Sequence, residues 1–290
     1  MSERLRRVVV LTHHLAATSE AALRELATAR ERLGLELAMP ADELAKHPSA
    51  GELGYQAVDE DGVRAADVCL VFGGDGTILR ALGRLLGSGV PTVGVNFGNV
   101  GFLAGLPAVG WGDDLAEIVA GQYRLIELLT VDVHHNDTVS TAVNDVVLSR
   151  VERRRVLRLE YSISGTRVGE MLCDGMIVAT PAGSTAYNLS CNGPLVVWDA
   201  SVLVLNFIAP HSLDFRPLVL RPDHVIAARN ISALDDAEIV VDGSIVGRVC
   251  CGDEVSITAS QVRARLLVRA SGSFYRNIEE KLFTRAPHAR

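Results

Sequence analysis

Runs of apolar residues alternate with amphipathic stretches through the first third of the chain. Arg6 to Leu11 (RRVVVL) reads as a buried parallel strand. Ser19 to Leu33 predicts an amphipathic helix, with Ala22, Leu26, Ala29 and Leu33 on one face and Gly34 as its stop. Val68 to Phe72 predicts a second buried strand, Thr77 to Leu86 a second helix and Pro91 to Val95 a third strand. Asp113 to Ala120 predicts another short helix. This β-α-β order implies a parallel sheet with helices on its faces.

After Gly121 the texture changes. Thr141 to Leu148, Leu157 to Ile163, Met176 to Thr180, Val202 to Ile208, Glu238 to Val241, Val255 to Thr258 and Ala264 to Val268 are short, Val- and Ile-rich and separated by turn signals. The expected class is α/β: an N-terminal parallel-sheet α/β domain over residues 1–122, then a β-rich domain over 123–270. Residues 271–290 are expected to form a terminal arm that docks back on the first domain, with Phe274 to Thr284 reading as a terminal helix or as part of that arm.

Composition narrows the function. The 290 residues are 48% hydrophobic and 22% charged, with a net charge of −7. That is ordinary for a globular protein and argues against a nucleic-acid partner, which selects a basic face. Two long uncharged stretches, Leu85 to Gly112 and Gly175 to Trp198, carry eight and three glycines and two prolines each. Such breakers suit strands and functional loops rather than membrane spans, so no membrane partner is expected. Five cysteines without a C-x-x-C pair fit a reducing cytoplasm, and no apolar signal segment follows Met1. Lys46 and Lys281 are the only lysines. A P-loop is excluded, and little room is left for a lysine nucleophile.

Gly73-Gly74-Asp75-Gly76-Thr77 stands between a buried strand and a helix, where open α/β sheets bind ligands. Its glycines let backbone approach a phosphate, and Asp75 reads as a general base or a metal-associated group. A plain strand-turn-helix connection would show the same residues. Asn96 to Leu103 (NFGNVGFL) should form a loop beside it, or simply return Phe102 and Leu103 to the core. Asn144-Asp145 offers a carboxamide and a carboxylate to a ribose diol, or a turn. Cys173 to Pro194 sets Asp174, a strand and the polar run from Ser184 to Ser190 between apolar segments, which favours a ligand site. His211 reads as a loop histidine or a ligand contact, and His13-His14 lacks the spacing of a metal site. Arg153-Arg154-Arg155 reads as a solvated turn or a phosphate-facing patch.

In order, GGDGT at 73–77, NFGNVGFL at 96–103, ND at 144–145, DGMIVATPAGSTAYNLS at 174–190, PHSLDFRPLVL at 210–220 and VDGS at 241–244 resemble the NAD kinase family. Lipid kinases share the first motif but not the long Thr-Pro-x-Gly-Ser-Thr-Ala-Tyr run. The resemblance implies transfer of a phosphoryl group from ATP, or from polyphosphate, to the 2′-hydroxyl of the adenosine ribose of NAD. It further implies a divalent cation, Mg²⁺, without direct protein ligands, and a homodimer or homotetramer whose site borrows residues from a neighbouring subunit. Carried over by position, Asp75 is the base, with Gly76 beside it in the phosphate-binding loop of Gly73, Gly74, Gly76 and Thr77. Asn144 and Asp145 hold a ribose, and Asp174 and Ala182 line the nicotinamide side. Thr185, Ala186, Tyr187, Asn188, Leu189 and Ser190 surround adenine and ribose. Arg80, Arg155 and Ser244 match further contact positions. Asp145 departs from the family's usual Glu and is one methylene shorter. Two other readings remain open: a lipid or sugar kinase on the same loop, and a non-catalytic nucleotide sensor.

Overall fold

The computed structural model describes residues 5–97, 101–151, 155–270, 272–279 and 281. Two compact units divide the chain: residues 1–127 with 264–290, and residues 128–263.

In the first unit the chain runs β1 (Arg7–Thr12), α1 (Glu20–Leu33), β2 (Glu36–Pro40), α2 (Ala41–Lys46), β3 (Gln56–Val58), α3 (Glu60–Arg64), β4 (Val68–Gly73), α4 (Asp75–Arg84), β5 (Thr92–Asn96) and α5 (Trp111–Val119). The strands pair in parallel in the order β5-β4-β1-β2-β3. α1 ends where Gly34 adopts the left-handed conformation at φ 69°, which glycine tolerates without a Cβ clash. Its apolar stripe packs Leu23 and Leu26 into a core with Val8, Val10, Leu70, Phe72 and Trp111. Phe72 meets Phe97 and Trp111 edge-on, at centroid distances of 5.7 and 5.2 Å. Burying each such side chain stabilises the fold by roughly 1.5–3 kcal/mol.

The sequence reading is corrected here. Val68–Gly73 is the fourth strand, not the second, because β2 and β3 intervene. Both are short, and β2 ends on Pro40, so neither presents a long apolar run.

The second unit takes in most of β6 (Tyr123–His135), then β7 (Thr138–Ala142), β8 (Asp145–Arg150), β9 (Leu157–Ile163), β10 (Thr166–Cys173), β11 (Gly175–Ala179), α6 (Tyr187–Ser190), β12 (Leu203–Ile208), β13 (Leu218–Leu220), β14 (Ile226–Asn230), β15 (Ala237–Val241) and β16 (Ser244–Val249). β17 (Glu254–Arg269) begins in this unit and ends in the first, where Leu266 registers with Thr92 of β5. β10, β9, β14 and the start of β17 pair antiparallel. A second antiparallel sheet has the order β13-β12-β11-β8-β15-β16.

Alternate residues explain the packing. Val146 and Leu148 of β8, with Met176 and Val178 of β11, join Leu159, Tyr161, Ile226 and Ile257 in one core. Val147, Ile177, Ala179 and Val204 face the other way and bury against Cys191 and Val196. Both faces of these strands are covered, which is why they read as continuous apolar runs. The expected strand from Thr141 to Leu148 is interrupted at Val143-Asn144, and the expected strands at 255–258 and 264–268 are one strand, β17. In the C-terminal segment α7 spans Phe274–Ile278; the predicted helix continues into residues outside those described.

Candidate functional site

In the first unit β4 ends at Gly73, Gly74 caps α4, and Asp75 is the first helical residue. The helix therefore starts two residues earlier than the sequence suggested. Thr77 is buried, and its N–H donates to the Gly74 carbonyl at 2.9 Å. Asp75 and Gly76 lie in the first turn, where N–H groups have no carbonyl one turn behind them. Among the described residues a Cβ at Gly74 or Gly76 would meet nothing within 4 Å, so no described side chain covers this backbone. It can meet a phosphate closely, with the helix dipole favouring the anion.

Asp75 does not stand alone. The N–H of Phe102 donates to its Oδ2 at 2.7 Å, and the N–H of Leu103 to its Oδ1 at 3.0 Å. The loop after β5 thus lies against the loop after β4, as adjacent strand ends require. Gly101 makes the approach possible: a Cβ there would fall 2.0 Å from Asp75 Oδ1. Two amides use only part of a carboxylate's accepting capacity, so lone pairs remain for a hydroxyl proton. Nearby, the Asn96 Oδ1 is buried with no partner among the described residues. Gly98, Asn99 and Val100 of the same motif lie outside the described residues.

Cationic groups also gather in this unit. Arg80 donates to the Thr12 carbonyl at 3.0 Å and lines a cavity of about 590 Å³ with Leu11, Asp42, Glu43, Lys46 and Arg84. Lys281 places its Nζ 3.7 Å from Asp75 Oδ2. A segment more than 200 residues downstream in the sequence thus returns one of the two lysines to this carboxylate.

The second unit assembles its own cluster around the break between β7 and β8. Asp242, in a left-handed turn at φ 48°, accepts from the N–H groups of Val143 and Asn144 at 2.8 Å each and of Asp145 at 3.2 Å. This pins the Asn-Asp pair. Asn144 is 9% exposed, and its Oδ1 has no partner among the described residues. A buried acceptor without a donor is costly and marks a place where a ligand donor would be favourable. Burial, and then the neighbouring Asp242 charge, push the Asp145 carboxyl up to about 7. Asp242 is also raised by burial, but its three amide donors oppose the shift and favour its charged form.

The Thr180-Pro181-Ala182-Gly183 turn packs on this pair. Thr180 Oγ1 donates to the Val143 carbonyl at 2.6 Å, and a Cβ at Gly183 would sit 2.0 Å from the Asn144 carbonyl oxygen. A 3₁₀ turn (Gly183–Thr185) and α6 follow. Ala182 is buried. Thr185 Oγ1 donates to the Ala182 carbonyl, and Tyr187 is exposed. Asn188 is fully buried; its Nδ2 donates to the Ser184 and Pro194 carbonyls and its Oδ1 accepts from Asn206. Its side chain is thus committed to shaping the turn. Ser244 follows the Asp242-Gly243 turn and is exposed, so it joins the Asn144 end.

Asp174 does not. In the β8–β11 register Asp145 faces Ala179 and Ser149 faces Gly175, so Asp174 lies about 17 Å along the strand from the Asp145 end. There Arg150 Nη1 pairs with it at 2.7 Å. Arg155 also lies at the far end, where its Nη1 donates to the Leu234 carbonyl at 3.2 Å and its carbonyl accepts from Arg150. Asp174 and Ala182, expected to line one subsite, are thus at opposite ends of β11 within one chain. Arg153 and Arg154 lie outside the described residues. His211 is exposed, and its N–H donates to the Leu172 carbonyl.

Three contributors escaped the sequence reading. Asp242 sat inside the VDGS motif, and its Asp-Gly turn signal was the available clue. Gly101 was read only as loop spacing. Lys281 carried no local signal at all.

Comparison with known proteins follows the same two units. The ATP-NAD kinase N-terminal domain family matches residues 8–123, and the ATP-NAD kinase C-terminal domain family matches residues 143–269. An NAD kinase of Heliobacterium modesticaldum is 36% identical over 227 residues, covering 77% of this chain and 80% of that protein. An NAD kinase of Polaromonas naphthalenivorans is 32% identical over 289 residues, covering 97% and 98%. Among solved structures, yeast NADH kinase complexed with NADH superposes with a TM-score of 0.87 at 22% identity, covering 100% of this chain and 91% of that one. An NAD kinase from Archaeoglobus fulgidus in complex with ATP gives 0.74 at 24% identity, with 94% and 97% covered. These two share the fold.

Proposed function

Because this chain belongs to the NAD kinase family and phosphorylates NAD to NADP, we propose that Asp75 is the general base that takes the proton from the 2′-hydroxyl of the adenosine ribose. The observation that carries this reading is the carboxylate held by two loop amides at the first turn of α4. A ribose hydroxyl is a weak nucleophile at neutral pH. Removing its proton as the new P–O bond forms contributes roughly 10²–10⁴-fold. Positioning and charge stabilisation of the transferred group supply most of the rest.

ATP is the donor in this reading. The bare N–H groups of Asp75 and Gly76 receive phosphate oxygens. Among the described residues no three His, Cys, Asp or Glu side chains converge as a metal cage. In this reading Mg²⁺, which the family resemblance implies, would come with the donor's phosphates and neutralise their charge. The second unit holds the dinucleotide: Asn144 Oδ1 and the Asp145 carboxyl take ribose hydroxyls, and the turn from Thr185 to Ser190 and Ser244 line the base and sugar. Incubation with NAD, Mg²⁺ and either ATP or polyphosphate, with NADP measured enzymatically, tests the donor. Product with polyphosphate but not with ATP would overturn the assignment.

The Asp174 end belongs, in this reading, to another copy's site. Asp174 with Arg150 would complete a neighbour's nicotinamide pocket in a homodimer or homotetramer. Mixing an inactive Asp75→Asn subunit with an Asp174→Ala subunit should then restore part of the turnover, because one hybrid site keeps both residues. Mixed oligomers without any regained activity would place Asp174 outside the site. The protein works in the reducing cytoplasm on this view. Its five cysteines are free, and among the described residues no helix is long and apolar enough to cross a membrane.

Gly101→Ala tests the loop that holds the base. The added methyl would press on Asp75 Oδ1, and displacements near 1 Å cost up to about 10²-fold in rate. A fall in kcat of about tenfold is expected, with NAD binding kept; unchanged kcat would show that the carboxylate needs no such support.

A further inference from the structure

Four contacts close a ring around Asp75. The Phe102 N–H donates to Asp75 Oδ2, the Phe102 carbonyl accepts from Asn277 Nδ2 at 3.1 Å, the Lys281 ammonium lies 3.7 Å above the centre of the Phe102 ring, and the same Nζ is 3.7 Å from Asp75 Oδ2. The arm is anchored by Phe274, which is buried. The Lys281 side chain is only 13% exposed. A lysine rarely gives up its hydration unless a charge or a ring face compensates, and here both do. Burial pulls its proton affinity down while the Asp75 carboxylate pushes it back up.

We propose that Lys281 is a positioning residue of the phosphoryl-transfer site, fixing the Asp75 carboxylate through its charge. This rests on Asp75 acting as the base. The role needs a cation and not a packing group: an ammonium 3.7 Å from Oδ2 attracts the carboxylate, and a neutral side chain there would not. The arm thereby links its own docking to the reaction, since Asn277 and Lys281 grip the same loop residue that donates to the base.

The test uses the full chain with saturating ATP and Mg²⁺. Lys281→Met and Lys281→Gln should each lower kcat by about 10–100-fold, with the KM for NAD changed less than about threefold. Lys281→Arg should recover most of the loss, and the thermal midpoints of all three should stay near that of the parent. Equal losses in Met, Gln and Arg variants would show that charge is irrelevant and overturn the proposal. A double-mutant cycle completes it. On an Asp75→Asn background, Lys281→Met should cost little more, because the lysine acts through the carboxylate; a full multiplicative loss would overturn that route. Near-normal turnover of Asp75→Asn alone would remove the base and this proposal together, whereas a slow Asp75→Asn beside an unaffected Lys281→Met would remove only the proposal.

Discussion

Asp75→Asn is expected to lower kcat by about 10²–10⁴-fold while leaving the Kd for NAD close to that of the parent. The substitution keeps the shape of the side chain and deletes the proton acceptor. It also changes the local bonding in a defined way. The carboxylate accepts from the Phe102 and Leu103 amides on separate oxygens. An asparagine has one accepting oxygen, so one of these amides would face an NH₂ group. The loop should therefore loosen slightly, by about 1–3 kcal/mol for one unsatisfied amide. The dinucleotide contacts assigned to the second unit do not use Asp75, so equilibrium binding of NAD should survive. Single-turnover kinetics with titration of NAD separate the two effects. A variant with kcat within a few-fold of the parent would show that the hydroxyl proton leaves by another route.

The second large effect is on stability as a function of pH. Asp145 is an acid whose folded-state value is raised to about 7 from an ordinary 3.8, by burial first and by Asp242 second. The folded state thus binds the proton more tightly than the unfolded chain. The associated stability is fully present below about 3.8 and is lost as the pH rises through about 7. Three pKa units correspond to about 4 kcal/mol, so ionised Asp145 should weaken the fold at pH 8 by a few kcal/mol relative to a neutral isostere. Asp145→Asn should accordingly raise the thermal midpoint at pH 8 and have little effect at pH 4. Denaturant titrations at the two pH values read this directly; equal effects at both would show that Asp145 ionises freely in the native state. The same proton matters for recognition. A carboxylate accepts both hydroxyls of a ribose diol, and a neutral acid gives up part of that capacity. The KM for NAD should therefore rise as the pH falls from 8 to 6 in the parent, and that pH dependence should vanish in Asp145→Asn.

Asp242 explains why the pair can persist with one proton. Its carboxylate collects three backbone amides that favour its charged form. Those same bonds pin the β7–β8 break, where the Asn144 Oδ1 is buried with no partner among the described residues.

Periodicity and turn chemistry along the chain were enough for the parallel strands before and after the GGDGT loop, the helix closed by Gly34, the β-rich second half and the family motifs. These features are local: burial on both faces produces continuous apolar runs, and a left-handed helix end calls for glycine within a few residues. Short β2 and β3 were missed because five and three residues carry too little pattern. Asp174 parts from Ala182 because the extended strand β11 runs between them, a separation that the chain's own strand pattern already implied. The partners of the site residues came only from tertiary structure. Lys281 meets Asp75 across 206 positions, and Asp242 meets Asn144 across 98. Contacts of this kind depend on how elements pack, and packing leaves no mark on the spacing of residues along the chain.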